Sequence, residues 1–164
     1  MKRVSASVLR LKRISSAYLA KFAPDGGRPK VIRLVVDTNV YISVILFGGT
    51  CEAVLALARA GIVELFLCPA IKRELRSVLG HAFGRAETQV REAFAEVNAI
   101  TSIVRPSPTL SEVLTHDQDH RILECALTAK ADFLVTEDKK HLQPLKTFHG
   151  VRIVSPRECL NSLC

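Results

Sequence analysis

Four carboxylates in this chain, Asp37, Glu74, Asp119 and Asp138, stand where acid groups could act on a ligand. Asp37 directly follows the apolar run 31–36 (VIRLVV), so it sits at the C-terminal end of a buried strand. That rim is where open α/β sheets bind their ligands. Asp138 stands in the same relation to the run ADFLVT, residues 131–136. Glu74 lies between Ile71 and Val78 at helical spacing, bordering a buried stripe, and Asp119 has the same relation to Ile122 and Leu123 at a helix start. Bringing four such acids together without cations would cost on the order of several kcal/mol in repulsion and desolvation. A divalent cation removes that cost. Hard oxygen donors with no His or Cys among them suit Mg²⁺ or Mn²⁺ and not zinc.

Each position also has a plainer reading. Asp37 can simply cap the helix that follows, for which Thr38 and Asn39 are also suited. Asp138 can close an Asx turn. Glu74 can be a solvated residue paired with Lys72, Arg73 or Arg76. Asp117 and Asp119 are both favoured at a helix N-terminus by the macrodipole, and Thr115-x-x-Gln118 has the form of a capping box there. Thr136 reads equally as an ordinary strand residue and Asn39 as a turn former. What favours chemistry is the coincidence of all four acids at one rim.

The elements that would position them follow from periodicity. Residues 31–36 predict a central strand, apolar on both faces as in a parallel sheet. Residues 41–47 predict a short helix ended by Gly48-Gly49, and Thr50 can cap a second over 52–60. Further strands are expected at 62–68, 102–104, 131–136 and 151–154. Further helices are expected at 70–79, 87–100 (Val90, Phe94 and Val97 inward) and 115–130. A helix or turn is expected at 141–146, and a terminal helix opens at Ser155-Pro156. Strands and helices alternate, which argues an α/β fold with a parallel five-stranded sheet between two helical layers.

The 164 residues suit one domain with a core, and 48% hydrophobic residues exclude a disordered chain. No uninterrupted apolar run reaches membrane-spanning length, so no membrane association is expected. Residues 1–30 hold Lys2, Arg3, Arg10, Lys12, Arg13, Lys21, Arg28 and Lys30 against Asp25 alone, which accounts for the whole net charge of +7. Residues 31–164 are therefore balanced and form the expected domain. The arm has three readings: a nucleic-acid contact, a targeting segment, or sequence upstream of the true start. The last is favoured because a compact domain can begin at Val31. The five cysteines form no C-x-x-C pair, which suggests neither zinc nor a disulfide framework, and Cys51, Cys68 and Cys125, in apolar surroundings, are expected to be buried thiols of a reducing cytoplasm.

Taken together, DTNVYIS after a buried strand, Glu74 in IKRELRSVL, HDQDHRILECAL, and ADFLVTEDKKHL followed by VRIVSPREC resemble a PIN domain. Within that family the likeness is to the VapC-like toxins of bacterial toxin–antitoxin pairs. It covers Ile32 to about Leu160 in the family's order. The resemblance implies a Rossmann-like sheet of order 3-2-1-4-5. It assigns the four family acids to Asp37, Glu74, Asp119 and Asp138 as catalytic groups and metal ligands, with Asn39 and Thr136 supporting the metal. It further implies an RNA substrate, a cognate antitoxin and a homodimer. Glu137 departs from the family's small residue before the last acid, and could crowd the rim or add charge to it.

The expected activity is RNA phosphodiester hydrolysis, with one or two ions (~3.5–4 Å apart if two) activating a water and neutralising phosphate charge. In-line attack would leave a 5′-phosphate and a 3′-hydroxyl. Arg73, Arg121, Lys139 and Lys140 are the basic residues expected along the approach. Two rivals remain. One is a non-catalytic RNA- or partner-binding protein on the same fold. The other is phosphoryl transfer through an aspartyl intermediate, which resembles D-x-D-x-T; the run here is DTNVY and lacks the second acid.

Overall fold

The computed structural model describes residues 31–82, 87–106 and 117–163. The basic arm, Thr115 and Cys164 lie outside them. Strand β1 (Ile32–Val36) is central because Leu34, Val35 and Val36 are all fully buried. It pairs in parallel with β2 (Val63–Leu67) and, on its other side, with β4 (Phe133–Val135). Strand β3 (Thr101–Ile103) extends the sheet beyond β2, and β6 (Val151–Val154) extends it beyond β4, both parallel. The order β3-β2-β1-β4-β6-β5 contains the expected arrangement, with β6 as its fifth strand. The addition is β5 (Thr147–Phe148), a two-residue antiparallel edge on β6. Its hairpin turns on His149 and Gly150, both at positive φ (47° and 86°), as a two-residue loop matched to strand twist requires.

Helix α1 (Thr38–Leu46) begins earlier than expected, because its N-cap is Asp37 itself rather than Thr38 or Asn39. Helix α2 (Gly49–Arg59) also starts early. Its N-cap is Gly48, without a side-chain cap, so Thr50 lies inside the helix and does not cap it. Gly48 and Gly49 both take φ +69°, a conformation that glycine adopts without penalty. This lets the chain turn by 105° from α1 into α2.

Helix α3 (Pro69–Ala82) opens with proline at its first position and outruns the expected 70–79. Helix α4 (Glu87–Ile100) falls where expected, with Val97 buried and Phe94 beneath the Arg76 guanidinium, 5.9 Å from its ring centre. The side chain of Val90 lies outside the described residues, as does that of Gln118. Helix α5 (Asp117–Thr128) buries Ile122, Leu123, Cys125 and Ala126. The expected turn near 141–146 is a 3₁₀ turn at Gln143–Leu145. Helix α6 (Pro156–Leu163) starts with a reciprocal cap: Ser155 N–H donates to Glu158 Oε2 (2.7 Å), and Glu158 N–H to Ser155 Oγ (3.2 Å).

Helix α5 packs across β1, β2 and β4, while α2 and α6 pack on one another and on β2, β4 and β6, which makes the two helical layers. Cys51, Cys68 and Cys125 are buried and free, as expected, and Cys159 is buried and free as well. Among the described residues no single helix is long and apolar enough to cross a membrane. The apolar α1–α2 pair passes by composition, but its bend and its buried Val40, Tyr41, Val54 and Leu55 place it in the core.

Candidate active site

The site is built on the neighbouring ends of β1 and β4. The Asp37 N–H donates to the Val135 carbonyl (2.9 Å), so the first residue past β1 is tied to the last residue of β4. Asp37 has extended backbone, φ −70° and ψ 152°, and its Oδ1 accepts the Thr38 N–H at 2.7 Å. The capping reading is therefore correct. It does not exhaust the carboxylate, whose Oδ2 accepts the Thr136 hydroxyl at 2.7 Å. Burial pushes the Asp37 carboxyl above its ordinary 3.8, against the lowering effect of the Thr136 and Thr38 hydrogen bonds, and the charges of Glu74 and Asp138 push it further up.

Thr136 is fully buried and serves both strand ends. Its Oγ1 donates to Asp37 and accepts the Asp138 N–H at 3.0 Å. Asp138 also forms the Asx turn that was its plainer reading: Oδ1 accepts the N–H groups of Lys140 (2.8 Å) and His141 (3.0 Å), and Oδ2 stands 3.2 Å from His141 Nδ1. Partial burial opposes the Asp138 charge. The His141 and Lys140 amides and the His141 ring outweigh it, and the carboxyl is held below its ordinary value. Gln143 then fixes this loop from outside, with its N–H on the Asp138 carbonyl (2.9 Å) and its side-chain amide on the Thr136 carbonyl (2.9 Å).

Glu74 reaches the same rim from α3. Its Oε2 accepts the Thr38 hydroxyl at 3.1 Å, and Thr38 is only 3% exposed. Glu74 is thus not the solvated residue of its plainer reading. Thr38 and Thr136 each carry one neighbouring acid to Asp37. Sequence reasoning noticed Thr38 only as a helix starter; nothing in the sequence pairs it with a residue 36 positions on. His141 and Gln143 were likewise missed as supports of the Asp138 loop.

Asp119 is half-buried in the first turn of α5 and, among the described residues, makes no hydrogen bond to the other three acids. The Asp117 side chain lies outside the described residues. Asn39 is exposed in the first turn of α1. Glu137, which could have crowded the rim, accepts a hydrogen bond from Ser43 of α1 instead. Arg73, Arg121, Lys139 and Lys140 are all exposed.

The donor set suits a hard divalent cation: carboxylate oxygens, with Asp37 destabilised by burial and by two like charges that such a cation would offset. Among the described residues no three His, Cys, Asp or Glu side chains stand together closely enough to hold one ion. Every oxygen of Asp37 and Asp138 is engaged by a protein group as the site stands.

Residues 33–140 match the model of the PIN domain. No curated protein matches the sequence. Among solved structures, the chain is similar to VapBC2 from Rickettsia felis, determined bound to a DNA fragment from their promoter. That likeness has a TM-score of 0.56 at 14% identity and covers 74% of this chain and 97% of that one. It is also similar to PAE2754 from Pyrobaculum aerophilum, with a TM-score of 0.52 at 15% identity, covering 80% of this chain and 89% of that one. At these identities the likeness speaks for the fold. The family match spans well over half of the chain and contains Asp37, Glu74, Thr136 and Asp138, so this protein belongs to the PIN domain family, whose members are generally nucleases.

Proposed function

We propose that this chain is a metal-dependent ribonuclease and the toxin of a toxin–antitoxin pair. One observation carries the reading: a half-buried carboxylate, Asp37, is tied through two threonines to a second and a third acid at a parallel-sheet rim. A structural role alone has no need of that cost. Asp37 and Asp138 are the proposed direct ligands of Mg²⁺ or Mn²⁺. Glu74 and Asp119 are ligands or orient the attacking water. The bound cation would activate water and offset charge developing on the phosphate. Thr136 and Thr38 hold the acids in register, and Arg73, Arg121, Lys139 and Lys140 meet the RNA backbone. An antitoxin partner is supported by the fold shared with the VapBC2 complex. A homodimer and a cytoplasmic location, in keeping with four free thiols, complete the proposal.

The deciding experiment is cleavage of single-stranded RNA with Mg²⁺, with Mn²⁺ and with excess chelator. Cleavage restored only by the cation supports the reading, and cleavage at full rate in chelator ends it. The engaged carboxylates favour one rival, an RNA-binding protein without catalysis. It predicts RNA binding with no cleavage at saturating Mn²⁺.

Asp119 and Asp117 separate by mutation. Two residues apart on a helix, they point about 200° away from each other, and Asp119 shares a face with the buried Ile122, Leu123 and Ala126. Asp119→Asn is expected to slow cleavage ~100-fold or more, the scale of lost catalytic electrostatics. Asp117→Asn should cost little activity and at most about 1 kcal/mol of stability. Rates and melting curves at saturating Mn²⁺ check both. An inactive Asp117→Asn beside an active Asp119→Asn would give the site to Asp117.

A further inference from the structure

We propose that the cavity between the β5–β6 hairpin and α6 is a binding site for a phosphorylated ribonucleotide, with Lys146 and Arg152 taking the phosphate and Glu158 the ribose hydroxyls. The proposal does not rest on the cleavage reading, because its test measures binding with divalent cations removed.

The cations are placed by the strand pattern. In β6, Val151 and Ile153 are buried while Arg152 between them is exposed, as a period of two requires. Arg152 pairs in register with Phe133 of β4, and its guanidinium stands 5.1 Å from the centre of that ring. The ring holds the charge in place without neutralising it. Lys146 precedes β5. Its N–H donates to the Gln143 carbonyl (3.1 Å) and its carbonyl accepts the Ile153 N–H (2.8 Å), so the backbone is fixed on both sides. It takes φ 55°, a conformation that costs any residue but glycine and that recurs at ligand-binding positions. Among the described residues neither cation is closed in an ion pair.

The carboxylate is fixed as well. Glu158 Oε2 accepts the Ser155 N–H at 2.7 Å. The Ser155 hydrogen bonds and the Arg152 charge hold the Glu158 carboxyl below its ordinary 4.5. It therefore remains an acceptor, with Oε1 left for a donor. A phosphate has two cations to meet here, but a carboxylate needs hydroxyl donors, and an acid beside a phosphate site is how ribose hydroxyls are read. Asn161 of α6 and Gln143 add amides that both donate and accept. The cavity holds about 610 Å³, inside the roughly 300–1,000 Å³ of small-molecule pockets.

The cavity adjoins the acidic rim. The Val154 carbonyl in its wall accepts the Thr136 N–H (3.0 Å), and Gln143 holds the Thr136 and Asp138 carbonyls. The same chemistry belongs to a free nucleotide and to one unit of an RNA strand lying along the rim.

The test titrates the isotope-labelled full-length protein with adenosine monophosphate in excess chelator and follows backbone amides by NMR. Saturable shifts are expected at Lys146, Arg152 and Asn161. Arg152→Gln and Lys146→Gln should each weaken binding at least ~10-fold, the scale of a lost hydrogen bond to a charged group. Deoxyadenosine monophosphate should bind more weakly than the ribonucleotide, and Glu158→Gln, which still caps α6, should remove that preference. A short RNA that displaces the nucleotide in chelator makes the strand the source, a nucleotide that stays bound makes the free molecule the source, and both sustain the site. Shifts confined to the acidic rim, inorganic phosphate binding as tightly as the nucleotide, or unchanged affinity in Arg152→Gln overturns the proposal. None of these outcomes depends on whether RNA is cut.

Discussion

Asp37→Asn is expected to lower the cation-dependent cleavage rate by ~100-fold or more while leaving the protein more stable at neutral pH. The two effects share a cause. The proposed role of the carboxylate depends on its charge being held in a half-buried place beside Glu74 and Asp138, and that placement is what raises its pKa. Asparagine keeps an oxygen for the Thr38 N–H and can meet Thr136 through its amide, since the Thr136 oxygen also accepts. The capping geometry survives and the half-buried charge does not.

The pH dependence follows from the same shift. Between the ordinary 3.8 and the raised folded value, the folded chain keeps a proton that the unfolded chain has released. Stability therefore falls as pH rises through that window, and the whole penalty is present above it. Asp138 acts in the opposite sense: its folded pKa is lowered, so its contribution is present above 3.8 and lost as pH falls through the folded value. Urea unfolding of both proteins across the acid range to pH 7 should show the variant's advantage growing with pH. A variant that cuts RNA at the wild-type rate, or one that is less stable at every pH, would refute this account of Asp37.

Thr136→Val should be the most damaging single change at the rim that removes no charge. Valine has nearly the shape of threonine, so the fully buried pocket stays filled. Its loss is confined to the hydroxyl, which leaves Asp37 Oδ2 without its donor and the Asp138 N–H without its acceptor. Groups left unpaired in this way cost about 1–3 kcal/mol each, with the charged acceptor toward the upper end. For a chain of this size each kcal/mol corresponds to roughly 2–4 °C in melting temperature, so a drop of roughly 5–20 °C is expected. Cleavage should fall at least ~10-fold, because the acids lose the group that sets their relative position. Thr136→Ser restores the hydroxyl and should recover most of both. If valine matches wild type in melting temperature and rate, the threonine bridge is not what holds the site.

Much of this arrangement was legible in the residue pattern. Leu34, Val35 and Val36 read as a strand buried on both faces, and each is fully buried. The run ADFLVT read as a second such strand. A carboxylate past each strand end put Asp37 and Asp138 at one rim, and the 3-2-1-4 core order makes those strands neighbours. The stop of α4 at Ile100 and the extent of β6 matched because strong periodicity is interrupted sharply there. The β5 hairpin was not legible. His149-Gly150 is a weaker turn signal than Asn-Gly, and a two-residue strand has no period to read. The start of α2 was missed because the two glycines read as the stop of α1, while their positive φ also opens the next helix.

By itself, the sequence determined the elements, their alternation and which acids lie at element ends, because burial and backbone geometry act over a few residues and leave a period. Only the tertiary structure decided which side chains meet. Thr38 reaches Glu74 across 36 residues, Thr136 reaches Asp37 across 99, and Ser43 takes up Glu137 across 94. No local preference encodes such pairs. They exist because the parallel register sets Val36 beside Val135, and that register, fixed by the packing of the whole core, turns separate acids into one charged group.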